Sequence, residues 1–201
     1  MPSISALPLI VLLLAGRPYD PLRLPEVVVH HHDLVVQDDH RRREIPLRVY
    51  LAEGAASAPV VLFSHGLGGS SRNNPYLGEH WARRGFAVVF MQHPGSDESV
   101  WRDVPAARRM AAMQRAASAA NLTLRVHDVS AVIDQLDRWS REDGHALAGR
   151  LDLERIGMSG HSFGALTTQA VSGQAPALGR SAADHRIRAA CAMSPSAPRL
   201  G

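Results

Sequence analysis

Lysine is absent from this 201-residue sequence. All 22 residues in the Lys and Arg total are therefore arginine, which keeps its charge across the accessible pH range. The pI near 9.7 reflects that choice of cation, because the formal net charge is only +3. A wide basic stripe is also missing, which argues against a nucleic-acid partner. The one dense basic run, Arg41-Arg42-Arg43, follows Asp38, Asp39 and His40 and reads as a solvated turn between strands.

Cysteine is nearly absent. Cys191 stands alone, so no intramolecular disulfide is possible and the count does not separate cytoplasm from periplasm. Its place in the apolar run Ile187 to Met193 suggests a buried strand thiol. Long apolar runs are lacking too. Leu7 to Ala15 is too short to cross a bilayer, so no stable membrane span is expected. Its length suits the apolar part of a secretory signal, and Ala15-Gly16 supplies small residues near a possible cleavage point. No Lys or Arg precedes it, whereas such signals normally begin with positive charge. Export to a secreted or periplasmic location therefore stands beside a buried apolar arm as a reading of residues 1–16. Residues 17–25 hold three prolines and read as an extended linker. No repeat at solenoid periods is present. Residues 26–201 are then long enough for one domain with its own core.

Metal-ligand spacing is absent as well. His30-His31-His32 lie in a strand-like stretch, where neighbouring side chains point to opposite faces and cannot converge on one ion.

What is present is alternation of strands and helices. Glu26 to Gln37 and Ile45 to Leu51 read as the first strands, the second by its alternating pattern. Val60 to Phe63 and Phe86 to Met91 are compact apolar runs of the kind buried on both faces. Tyr76 to Arg84 and the Ala-, Met- and Arg-rich Pro105 to Ala120 are helix-prone. Leu122 to Trp139 carries apolar residues at helical spacing. Arg155 to Ser159 is a short strand, Phe163 to Ser172 a helix, and Ile187 to Met193 the last strand. Long crossovers between strands require a mostly parallel sheet with helices on both faces.

The chemistry is carried by Gly160-His161-Ser162-Phe163-Gly164. This G-x-S-x-G pattern lies directly after a strand and directly before a helix, the arrangement of a nucleophile elbow. There a serine hydroxyl is presented on a strained turn, and flanking glycines such as Gly160 and Gly164 let neighbouring backbone approach. The Phe163 N–H opens the helix, where unpaired amides favour a developing oxyanion. The strand Val60 to Phe63 runs into Ser64-His65-Gly66-Leu67-Gly68-Gly69, and the Leu67 N–H is the candidate second donor. His65 and His161 are read as support for the loop and the elbow rather than as the general base. The side chain of His161 diverges from that of Ser162, and His65 is expected to hold its loop by hydrogen bonding.

These stretches resemble the α/β-hydrolase superfamily, specifically bacterial proteins related to dienelactone hydrolase and platelet-activating-factor acetylhydrolase. The matching segments are Arg43 to Tyr50, Leu62 to Gly69, Gln92 to Ser99 and Arg155 to Gly164, within a resemblance covering roughly residues 20 to 200. It implies an α/β-hydrolase fold, Ser162 as nucleophile, the Leu67 and Phe163 amides as oxyanion hole, and hydrolysis of small-molecule esters, short-acyl ones in particular, with no cofactor and no metal. Dienelactone hydrolases proper use cysteine at the elbow, so serine here favours the acetylhydrolase or carboxylesterase side; a cutinase-like polyester hydrolase would use the same elbow. Gln92 to Ser99 is expected as a loop near the pocket mouth.

The triad order in this fold is serine, then acid, then histidine. After Ser162 only Asp184 and His185 qualify. They precede the strand Ile187 to Met193, whereas catalytic groups gather at the carboxyl ends of strands, so they read as a turn. The expectation is an incomplete α/β-hydrolase domain lacking the last strands, with ester hydrolysis impaired by loss of the acid and the base. A non-catalytic or partner-dependent remnant is the alternative.

Overall fold

The computed structural model describes residue 20 and residues 23–174 and 181–195. The apolar run Leu7 to Ala15 and most of residues 17–25 lie outside the described residues. In chain order the elements are β1 Val29–Asp38, β2 Arg43–Ala52, β3 Ala58–Ser64, α1 Pro75–Arg83, β4 Ala87–Met91, α2 Ser99–Arg102, α3 Ala106–Ala116, α4 Ala119–Arg141, β5 Leu151–His161, α5 Phe163–Val171 and β6 Ile187–Met193.

The strands form a six-stranded sheet in the order β1-β2-β4-β3-β5-β6. β1 pairs antiparallel with β2, and β2 antiparallel with β4. From β4 through β3 and β5 to β6 every pairing is parallel. The central strands are apolar on both sides because both faces are covered. Leu47, Val49, Leu62, Val89 and Met158 belong to one core, which α4 closes with Val129, Val132, Ile133 and Leu136. The alternate residues Tyr50, Phe63, Val88 and Phe90 form the opposite core, closed by α1 through Ala82 and Trp81. Phe63 and Phe90 stack there at a centroid distance of 4.6 Å.

Several elements differ from the sequence expectation. The Ala-rich helix ends at Ala116 rather than Ala120, and the next begins at Ala119 rather than Leu122. Ser118 is extended and its hydroxyl accepts from the Asn121 N–H at 3.2 Å, so a new helix starts there. β5 is an eleven-residue strand, longer than the apolar core of its sequence. Cys191 is exposed, not buried, because β6 is an edge strand whose residues Arg188 to Cys191 are uncovered among the described residues. The arginine run does form the β1–β2 turn, but it is not simply solvated. Arg41 and Arg43 reach inward to the buried Asp128 carboxylate at 2.9 and 2.7 Å. No helix among the described residues is long and apolar enough to cross a membrane.

Candidate active site

Parallel pairing brings the ends of β3 and β5 side by side, with Ser64 opposite Gly160. The two candidate segments therefore leave the sheet at the same edge. At the end of β5 the chain turns sharply into α5. Ser162 sits between them at φ 55°, ψ −115°, a region that side-chain-bearing residues rarely occupy and that marks strain held by surrounding structure. The turn is held by the Ser162 N–H donating to Met193 O at 2.9 Å. Gly160 and Gly164 are there for space. A Cβ on Gly164 would lie 2.6 Å from Ser64 C and 2.8 Å from His65 O, and one on Gly160 would lie 2.6 Å from Gly164 C. The elbow and the end of β3 are packed backbone against backbone.

The loop after β3 lies over this turn. A Cβ at Gly66 would stand 3.7 Å from Ser162 Cβ and 3.4 Å from His161 Nδ1. His161 is exposed, its ring over Gly66. The loop is rigidly tied. His65 Nδ1–H donates to Gly66 O at 2.6 Å, and the Gly69 N–H reaches the same oxygen at 3.1 Å. The Gly66 carbonyl and the Leu67 N–H share one trans peptide, so fixing the oxygen fixes the opposite direction of the N–H. Neither the Leu67 nor the Phe163 N–H has an acceptor among the described residues. Ser162 Oγ likewise makes no hydrogen bond among them.

Of Gln92 to Ser99, expected as a loop near the pocket mouth, residues 92–98 form a loop that braces the one after β3, and Ser99 opens α2. Gly68 N–H donates to Ser96 O and Glu98 N–H to Gly69 O, both at 2.9 Å. Trp101, on the short helix α2, donates from Nε1 to Gly68 O at 2.8 Å.

Under this brace lies a polar cluster that the sequence reading did not find. Ser64, His93, Asp128 and Arg125 are each 0% exposed. Asp128 accepts from Arg41 and Arg43 and from His93 Nδ1–H at 2.9 Å. With that proton on Nδ1, His93 Nε2 accepts from the Ser64 hydroxyl at 2.9 Å. The His93 backbone N–H in turn donates to His65 Nε2 at 3.1 Å. Burial pushes His93 down to about 4 despite the hydrogen-bonded Asp128 carboxylate. Burial also holds His65 well below the usual histidine range, with His93 and Arg125 nearby adding to the effect. Both are therefore neutral at pH 7. Asp128 opposes its own burial through His93 and Arg43 and stays well below the usual carboxylate range. One signal was available in the sequence: Arg125 and Asp128 interrupt the apolar stripe of α4 one turn before Val129 and Val132.

Asp184 and His185 lie at the amino end of β6. The Asp184 carboxylate accepts from Ser130 Oγ at 3.0 Å and from Arg186 at 2.6 Å, and the Arg186 contact brings it down to about 2. Ser162 is at the other end of that strand, beside Met193, so the structure does not bring the two together.

Strand order, the single antiparallel β2 crossing at the start, and a serine turn after β5 define an α/β-hydrolase fold. Solved structures agree with it. The chain is similar to a ferulic acid esterase from Streptomyces cinnamoneus, with 21% identity and a TM-score of 0.52 over 72% of this chain and 55% of that one. It is similar to a cold-adapted esterase from an Arctic intertidal metagenomic library, at 18% identity and 0.55 over 81% and 59%. A protein assigned as a dienelactone hydrolase from Klebsiella pneumoniae gives 13% identity and 0.60 over 84% and 60%. The chain thus spans somewhat over half the length of these neighbours. No family profile and no curated protein matches the sequence.

Proposed function

We propose that the chain carries the nucleophile elbow of a serine-dependent carboxylic ester hydrolase. The observation behind this reading is the positive φ of Ser162 at a strand-to-helix junction, with a hydroxyl and two amides, at Leu67 and Phe163, that have no partner among the described residues, on the two segments that meet there. Strain of this kind points to function when the fold holds it in place. In the reaction, Ser162 Oγ bonds to the acyl carbon while its proton passes to a general base. The carbonyl oxygen becomes an oxyanion held by the Leu67 and Phe163 N–H groups. The bond to the alcohol oxygen breaks, the alcohol leaves with a proton, and an acyl-serine remains. Water then attacks the same carbon, releasing the carboxylic acid and restoring the hydroxyl. No described residue is assigned as the base. The esterase neighbours support a small-molecule ester as the substrate class, the serine at the elbow favours a short acyl group within it, and no step calls for a cofactor or metal.

A second reading is a non-catalytic hydrolase-like chain. It is favoured by the absence, among the described residues, of any imidazole or carboxylate bonded to Ser162 Oγ. A fluorophosphonate probe separates the two. Labelling of the wild-type chain that disappears in Ser162→Ala supports the enzyme; labelling no stronger than in that variant supports the second reading.

A further inference from the structure

Arg125 is a fully buried guanidinium, and among the described residues it forms no ion pair. Asp128, one turn along α4, faces Arg41, Arg43 and His93 instead. Asp128 and Asp97 act on Arg125 only as longer-range opposite charges. Burial pulls it down to about 9, so it is still charged at neutral pH. A buried charge without a direct counter-ion is costly, and such an arrangement is a reason to ask what the side chain holds in place.

Its contacts answer that question. NH1 donates to His65 O at 2.7 Å and to Ser64 Oγ at 3.3 Å. Nε donates to Ser96 Oγ at 2.8 Å and NH2 to Ser96 O at 3.2 Å. Five N–H groups thus meet four neutral acceptors. The remaining approach, NH2 to His65 Nδ1 at 3.4 Å, brings two donors together, because Nδ1 already donates to Gly66 O. His65 O lies two residues before Leu67. Ser96 O also accepts from the Gly68 N–H, the residue just after Leu67. The flat face of the guanidinium covers the Phe163 ring at 4.5 Å from its centroid, a favourable cation–π distance. One side chain therefore holds the loop directly before Leu67, indirectly after it through Ser96, and covers the side chain of Phe163.

We infer that Arg125 is the positioning residue of the oxyanion hole, setting the Leu67 and Phe163 amides at a fixed separation by bonding to the loop and stacking on the elbow. The inference rests on the reading of those two amides as oxyanion donors. Arg125 does not itself reach the substrate.

The test uses the whole chain with Arg125→Met, Ser96→Ala and Ser162→Ala. Fluorophosphonate inactivation is resolved into its maximal rate, kinact, and its binding constant, KI, and the backbone amide signals of Leu67 and Phe163 are followed by NMR. Loss of a well-placed oxyanion donor slows acyl transfer by about a hundredfold or more, so misplacing two of them in Arg125→Met is expected to lower kinact by about ten- to a hundredfold. KI should stay within about twofold, since probe binding outside the hole is untouched. Both amide signals should move. Ser96→Ala, which removes one acceptor and keeps the buried cation, should show the same pattern more weakly, and it decides the matter if Arg125→Met does not fold. Wild-type kinact with both amide signals unmoved overturns the inference. If the wild-type chain labels no better than Ser162→Ala, the nucleophile reading has failed. The positioning role then stands or falls on whether the two amide signals move.

Discussion

Two serines end neighbouring strands of this sheet, and their surroundings are opposite. Ser64, at the end of β3, has the full geometry of a catalytic triad: its hydroxyl on His93 Nε2 and His93 Nδ1 on Asp128, each at 2.9 Å. All three are 0% exposed, so no substrate reaches them. Ser162, at the end of β5, has access, a strained turn and unpaired amides nearby, with no bonded base among the described residues. The comparison teaches that a Ser–His–Asp chain is not by itself an active site. Around Ser64 the same three groups serve as a structural strut. They tie α4 to the ends of β3 and β4 and support the loop that faces Ser162.

The sharpest way to break this contrast is chemical. Ser64→Ala should keep fluorophosphonate labelling, whereas Ser162→Ala should lose it entirely; peptide mapping of the labelled wild-type protein locates the adduct. An adduct on Ser64 would reverse the roles assigned to the two serines.

Next in size is the backbone contact that joins the two regions. Gly164→Ala places a methyl group against the Ser64 and His65 carbonyls. Neither is a flexible side-chain end, so the elbow or β3 must move. The expected loss is about 4 kcal/mol or more, at the severe end for point substitutions, read from urea unfolding. Gly157→Ala, in the strand β5 that leads into the elbow, is the control. Its added Cβ meets only ordinary contacts at 3.8 Å or beyond and should shift stability by less than about 1 kcal/mol. Similar losses in both variants would mean that the close packing at the elbow does not set the cost.

Most of the sheet was legible in the sequence, and the reason is physical. Ala87 to Met91 are all buried, and of Val60 to Phe63 only Val61 is partly exposed, so their apolar runs are unbroken and stand out. The elbow was legible because a serine between two glycines, placed where a strand pattern gives way to a helix pattern, has few other uses. The cluster beneath it was harder to read. Ser64, His93 and the Arg125–Asp128 pair come from three distant segments, β3, the loop after β4 and α4, and their meeting leaves only a break in the apolar stripe of α4 as a trace in the sequence. Cys191 was misread for the converse reason: an apolar strand sequence predicts burial, yet nothing among the described residues covers that side of β6.

The strut can be weakened at its centre. Asp128→Asn keeps the shape and removes the charge that Arg41, Arg43 and His93 share. Breaking a buried ion network by removing one partner costs roughly 3–5 kcal/mol, and urea unfolding at pH 7 should show a loss of that order. A loss below about 1 kcal/mol would place Asp128 among ordinary surface carboxylates and undo the strut.

The same cluster makes stability depend on pH. His93 is held at about 4 in the folded chain, against roughly 6.5 when unfolded. Between those values the unfolded chain binds the extra proton, so stability rises with pH in that window. The contribution is fully present above about 6.5 and is lost as the pH falls towards 4, amounting to about 3 kcal/mol for His93. His65 acts in the same direction. Unfolding free energies at pH 7, 5.5 and 4 should therefore fall steeply in the wild type and less steeply in His93→Gln, which cannot titrate. Parallel curves would mean that His93 is already charged in the folded cluster.

The smallest effect is expected farthest from this cluster, at the exposed edge of the sheet. Cys191 pairs through its backbone with Ser159, whose hydroxyl donates to Cys191 O at 2.9 Å. That contact does not involve the thiol. Cys191→Ser should therefore change stability by no more than about 0.5 kcal/mol, as for surface substitutions generally. A thiol reagent should modify the native protein without waiting for unfolding, since the residue is exposed. Modification that begins only when urea unfolds the chain would show that the thiol is covered in solution. The contrast between a tightly tied cluster at the ends of β3 and β5 and an open face on β6 would then have to be redrawn.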